Sequence, residues 1–116
     1  VLTATPAHAV CLQGRVRDDA FVAAIGSFHP GMVELDAALV RDIAARGQVV
    51  IDSDRARQEA GDLLQAGLDL AACPALADAP ARQDRGPVLF KSCGHALWDL
   101  AAARCAQAAL QDPGPL

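Results

Sequence analysis

Most of the signals that announce a ligand are missing from this chain. Of its 116 residues one is lysine and nine are arginine; these cations form no stripe, and the net charge is −4. Nucleic acids and anionic membranes select clustered positive charge, so neither is an expected partner. No apolar run approaches the ~20 residues that a membrane span requires. The opening Val1-Leu2-Thr3-Ala4-Thr5 has no initiating Met, no charged leader and no cleavage pattern, and does not read as a signal peptide. The four cysteines, Cys11, Cys73, Cys93 and Cys105, include no C-x-x-C pair. They are expected to be reduced and structural, as in a cytoplasmic protein, with Cys105 a small core residue among alanines. His8, His29 and His95 show no metal-ligand spacing, so no metal is expected. Neither G-x-G-x-x-G nor G-x-x-x-x-G-K-[ST] occurs, which leaves the chain without a phosphate loop of its own.

What is present is a core and a pattern. Hydrophobic residues make up 53% of the chain, enough for one domain. The pattern centres on residues 21–51. An apolar run from Phe21 to Ile25 stops at Gly26-Ser27, and a loop with Pro30-Gly31 follows. Leu35, Ala38, Leu39 and Ile43 then recur at helical spacing, Gly47 ends that pattern, and Val49-Val50-Ile51 closes on Asp52-Ser53. Strand, loop, helix and strand in this span read as a βαβ unit, whose strand-end loops face a ligand crevice. Val1 to Pro6 reads as the end of an earlier strand, while residues 7–12 are ambiguous and 13–20 a connection.

Further on, Asp52-Ser53 is expected to cap one helix over about Asp54–Ala66, ended by Gly67. Residues 68–85 read as loop with a helical turn near Pro74–Asp78. Pro87 to Phe90 reads as a strand. Ser92 is expected to cap a last helix over about Gly94–Gln111, its inner face Leu97, Leu100, Ala101, Arg104/Cys105 and Ala108, with Pro113-Gly114-Pro115 as terminator. Lys91, at a strand end, reads as a solvated charge, and Arg55/Glu59 as a helix-surface ion pair. The expected fold class is α/β: the second half of a Rossmann-type doubly wound sheet, with the first half and its glycine-rich loop absent.

Three segments taken together resemble the ornithine cyclodeaminase/mu-crystallin family. They are Ala23-Ala24-Ile25-Gly26-Ser27-Phe28-His29-Pro30-Gly31 with Met32-Val33-Glu34-Leu35-Asp36; Val49-Val50-Ile51-Asp52-Ser53 with Glu59-Ala60-Gly61-Asp62-Leu63; and Leu89-Phe90-Lys91-Ser92-Cys93-Gly94-His95 continuing to Leu100. Thr3-Ala4-Thr5 fits the same family's preceding strand turn. The resemblance implies an NAD(P)H-dependent enzyme acting on an imine of an α-keto acid, built as a homodimer. Residues 1–92 would be the C-terminal part of its NAD(P)-binding domain, and 93–116 a helix returning toward the dimerising, substrate-binding domain. The family's glycine-rich loop and substrate-binding Arg and Lys would lie upstream of Val1, so the chain reads as a C-terminal portion, inactive alone.

By the same resemblance Thr3, Ala4 and Thr5 line the cofactor's ribose or nicotinamide, Gly26 and Ser27 approach its carboxamide, and Ser92 contacts its nicotinamide side. Phe28 and His29 are the candidate substrate contacts; no catalytic residue is assigned. Ornithine cyclodeaminase itself carries a catalytic Asp where this chain has Phe28, which cannot exchange a proton. The Gly-Ser-Phe-x-Pro form resembles the branch that reduces ketimines such as Δ1-pyrroline-2-carboxylate. A cofactor-binding protein without catalysis, like mu-crystallin, and an inactive truncated remnant are the alternatives.

Overall fold

The computed structural model describes residues 1–6, 9–81 and 86–111. Four short strands form one all-parallel sheet: β1 (Leu2–Thr3), β2 (Phe21–Ala24), β3 (Gln48–Ile51) and β4 (Val88–Lys91). Their spatial order is β1-β2-β4-β3. The βαβ unit read from residues 21–51 is therefore not a pair of neighbouring strands. β4 inserts between β2 and β3, pairing Ala23 with Phe90 on one side and Val50 with Phe90 on the other. A strand buried on both faces sits best in mid-sheet, and Val88 and Leu89 of β4 are both buried.

Strand periodicity decides the faces. Val22, Ala24, Val49, Ile51 and Leu89 point into the core, where they meet Leu39, Val40 and Ile43 of helix α1 (Ala37–Arg46) and Leu63 of a later helix. Asp36 starts α1: its carboxylate accepts from the N–H groups of Ala38 (2.9 Å) and Leu39 (3.2 Å). The ambiguous stretch before residue 13 is settled by pairing. Cys11 N and Leu12 N both donate to Glu34 O, and Asp36 N donates to Leu12 O.

The single helix expected over 54–66 is two, α2 (Ala56–Glu59) and α3 (Gly61–Gln65), broken at Ala60 (φ −75°, ψ 78°). The break answers to the loop after β2. Carbonyls of His29, Pro30 and Met32 lie so close to Gly61 that any Cβ there would come within 3 Å of them. Asp52-Ser53 does not cap α2, whose N-cap Arg55 makes no side-chain capping bond. Gly67 ends α3 as expected, in the left-handed region (φ 75°). A 3-10 turn spans Leu76–Asp78.

The last helix, α4, runs Ala96–Gln111, and no residue of it is buried. Its expected inner face is a correction: Leu97 is 59% and Leu100 47% exposed, and Ala101, Arg104, Cys105 and Ala108 are exposed too. An apolar stripe is buried only where another element lies against it, and none of this chain's described elements does. The terminator Pro113-Gly114-Pro115 lies outside the described residues.

Candidate functional site

The carboxyl ends of β1, β2 and β4 open together, and buried carboxylates tie them. Glu34, on the loop between β2 and α1, has no solvent exposure. It accepts from Thr5 N (2.7 Å), Thr5 Oγ1 (3.0 Å), Gly26 N (2.8 Å) and Ser27 N (3.3 Å). Burial alone would push this carboxyl up. The donors from Thr5 and Gly26 outweigh it and hold the group below its ordinary 4.5. Thr3 Oγ1 is buried facing the same carboxylate without reaching hydrogen-bonding geometry. Gly26 is glycine because Thr5 backbone and Glu34 would meet any Cβ there at under 3 Å. The close approach that this glycine allows is between two strand-end loops.

Asp62, at the start of α3, is equally buried. It accepts from Glu34 N (2.6 Å), Leu35 N (2.9 Å) and Ser27 Oγ (2.5 Å), and pairs with Lys91 Nζ at 3.3 Å. Lys91 was expected to be solvated at its strand end; it is fully buried instead. The reason is periodicity: as residue 91 it shares the inward face of β4 with Leu89. Its ammonium donates to Ser27 O (2.7 Å), Ser92 O (3.2 Å) and Ala24 O (3.3 Å), which clamps the ends of β2 and β4 together.

Asp52 closes the end of β4. One carboxylate oxygen accepts from Ser92 Oγ (2.8 Å), Cys93 N (2.9 Å) and Gly94 N (3.0 Å). Asp52 is thus no cap for α2, and Ser92 no cap for α4. The Leu97 N–H at the start of α4 is met by His95 Nδ1 (3.1 Å).

Above these loops lies a cleft of about 440 Å3, lined by Phe28, Arg55, Glu59, Cys93, His95 and Trp98 among others. The His95 and Trp98 rings meet edge-on at 6.2 Å, and Arg55 pairs with Glu59 at 2.9 Å as expected. Burial pushes the Cys93 thiol up to about 11, against the pull of nearby Lys91. Among the described residues no group of three or more His, Cys, Asp or Glu is placed to hold a metal, and no helix is long and apolar enough to cross a membrane.

The expected site residues therefore fall into two groups. Thr5, Gly26 and Ser27 converge on Glu34, and Ser92 sits against Asp52. Phe28 lines the cleft; His29 is exposed, its Nδ1 accepting from Gly31 N (3.1 Å). Ser27, expected to donate to a carboxamide, has its hydroxyl committed to Asp62 beneath the surface.

Comparison with known proteins bears on the same crevice. No family model matches the chain. It is 42% identical over 95% of its length to the Δ1-pyrroline-2-carboxylate/Δ1-piperideine-2-carboxylate reductase of Azospirillum brasilense, of which it covers 35%. Among solved structures it is similar to a probable ornithine cyclodeaminase from Bordetella pertussis (32% identity, TM-score 0.66, 98% of this chain and 40% of that one). These likenesses agree with the resemblance to the ornithine cyclodeaminase/mu-crystallin family. It is also similar to the iminosuccinate reductase of Paracoccus denitrificans in complex with NAD+ (26% identity, TM-score 0.71, 95% of this chain and 36% of that one). Its sheet is of the Rossmann type found in these relatives, and the chain spans about a third of the length of the curated relatives it matches.

Within this family setting, the residues that sequence reasoning left without a role are Glu34 and Asp62, and it gave Lys91 and Asp52 the wrong surroundings. A signal was available. Glu34 stands between Val33 and Leu35, Asp62 between Gly61 and Leu63, and Lys91 follows Val88-Leu89-Phe90. A charge embedded in an apolar run is either solvated or paired. Cys105 is a further correction: it is exposed on α4, whereas Cys73 is buried.

Proposed function

We propose that this chain is the C-terminal portion of an NAD(P)H-dependent reductase of cyclic imino acids, with Δ1-pyrroline-2-carboxylate the best-matched substrate. Residues 1–92 would complete its nicotinamide-binding domain. Residues 93–116, with the uncovered apolar side of α4, would lead back to the domain that dimerises and binds the imine, in a cytoplasmic homodimer. The observation that carries this reading is Phe28, 58% exposed at the cleft. A phenyl ring can pack against a planar ligand but cannot exchange the protons that cyclodeamination requires.

The described residues fit the nicotinamide end of the cofactor. Thr3, Ala4, Thr5 and Gly26 would form one wall of the crevice and Ser92 the other, with Ser27 held beneath the surface by Asp62 and with Phe28 and His29 placed to meet substrate. The Thr3 hydroxyl is buried facing the Glu34 carboxylate. When bound, the reduced nicotinamide supplies the hydride that converts an imine carbon to an amino-acid α-carbon. The residues of this chain contribute placement: the Lys91 clamp fixes the spacing of the two walls, and Glu34 fixes the turn after β1 against the turn after β2. The test is a longer polypeptide carrying the upstream half. It is expected to oxidise NADH or NADPH with Δ1-pyrroline-2-carboxylate or Δ1-piperideine-2-carboxylate and to release no ammonia from ornithine. The absence of imine-dependent oxidation overturns the reading.

A further inference from the structure

The loop of residues 27–35 carries both candidate substrate contacts, and α3 tethers it from beneath. Buried Asp62 takes hold of both its ends: Ser27 Oγ at the start (2.5 Å), Glu34 N (2.6 Å) and Leu35 N (2.9 Å) at the finish. At the apex Gln65 Nε2 donates to Pro30 O (2.9 Å). Lys91 Nζ adds a bond to Ser27 O (2.7 Å). Within the loop, Met32 N closes a turn on His29 O (2.9 Å), and Gly31 N donates to His29 Nδ1 (3.1 Å). The carbonyls of His29, Pro30 and Met32 rest against Gly61, where any Cβ would collide with them. The break between α2 and α3 thus sets Gly61, Asp62 and Gln65 under one loop. Phe28 stands between a tethered residue, Ser27, and the first residue of the closed turn, His29. Its backbone is fixed on both sides while its ring stays 58% exposed at the cleft. A ring mounted this way has only two side-chain torsions left to order when a ligand packs on it, so contact costs little entropy.

We propose that Asp62 and Gln65 are positioning residues: they hold the 27–35 loop as a preformed arch, so that Phe28 meets the imine as a fixed wall and not as part of a closing lid. The proposal rests on the reading of Phe28 as a substrate contact of an imine reductase. It adds that substrate affinity depends on side chains of α3 that touch neither substrate nor cofactor.

The test has two readouts, each on the double variant Ser27→Ala/Gln65→Ala. Both substitutions cut a tether and spare the buried Lys91–Asp62 pair, so the fold is expected to hold. The first readout is amide hydrogen exchange in the 116-residue chain, which needs no ligand. Glu34 and Leu35 are expected to exchange as slowly as the β2 amides, and the double variant to speed exchange across residues 29–35 at least about fivefold with β4 unchanged. The second is steady-state kinetics of the longer polypeptide carrying the upstream half. There the double variant is expected to raise the imine KM about fivefold, leaving kcat and the KM for NADH or NADPH unchanged. A merely structural role would lower kcat with the folded fraction and leave both KM values alone. Loop amides that exchange as fast as an open loop in the unaltered chain overturn the proposal. So does exchange that the double variant leaves unchanged, or a loosened loop with an unchanged imine KM. A longer polypeptide without imine-dependent oxidation overturns the reductase reading, and with it the role given to Phe28, whereas fast loop exchange overturns the positioning claim alone.

Discussion

A lysine with no solvent exposure survives only if every direction its ammonium faces offers an acceptor. Lys91 meets that condition with three carbonyls and one carboxylate. Removing one partner of such a pair leaves the other charged and buried, which costs about 3–5 kcal/mol, whereas removing both is often close to neutral. Lys91→Met is therefore expected to lower stability by about 3–5 kcal/mol in urea unfolding. Adding Asp62→Asn should recover part of that loss, a coupling that a double-mutant cycle reads directly. A loss below about 1 kcal/mol would mean that Lys91 reaches water, as a surface pair does. At this scale the sequence was legible in residue type and blind to partner. The glycines at 26 and 61 and the charges at 34, 52, 62 and 91 all fell within the quoted family segments. What no local pattern contained was the pairing of Lys91 with Ser27 and Ala24, or of Asp52 with Cys93 and Gly94, since those contacts join segments roughly forty or more positions apart.

Elements were the more legible scale. The strand starts and stops, α1, the 3-10 turn and the Gly67 stop follow from apolar periodicity and turn residues acting locally. Two misreadings have tertiary causes. The α2–α3 break comes from the loop carbonyls seated on Gly61, which no helical wheel contains. The inner face of α4 was read from a true apolar stripe, but a stripe does not say that its partner is present. With no buried residue, α4 keeps only its intrinsic helicity and its His95 cap, and an isolated helix of this length is marginal in water. Its backbone amides are accordingly expected to exchange with deuterium orders of magnitude faster than those of β4. Exchange from α4 as slow as from Leu89 or Phe90 would show that something covers it, and that the bare helix is not its state in solution.

For the whole molecule the unequal faces of the sheet matter most. All-parallel sheets are ordinarily covered on both faces. Here α1 and α3 cover one, while the other, carrying Phe21, Gln48, Val50, Val88 and Phe90, is met among the described residues only by the segment with Leu76, Ala79 and Pro80, leaving an apolar groove of about 360 Å3. Beside it β1 pairs on one side only, and its Val1 and Leu2 neighbours on the edge are 63% and 65% exposed. An open strand edge next to an apolar face offers both unpaired backbone groups and a surface to bury, and these two together favour pairing with another chain. The 116-residue chain on its own is therefore expected to self-associate, its mass by light scattering rising with concentration. Phe21→Lys places a charge on that face at a residue already 51% exposed, so the fold loses little while association weakens. A mass that stays monomeric across the accessible range would refute the expectation. A mass that rises but ignores Phe21→Lys would move the contact away from the open sheet face, to the bare apolar stripe of α4, where Leu97, Trp98 and Leu100 stand equally uncovered.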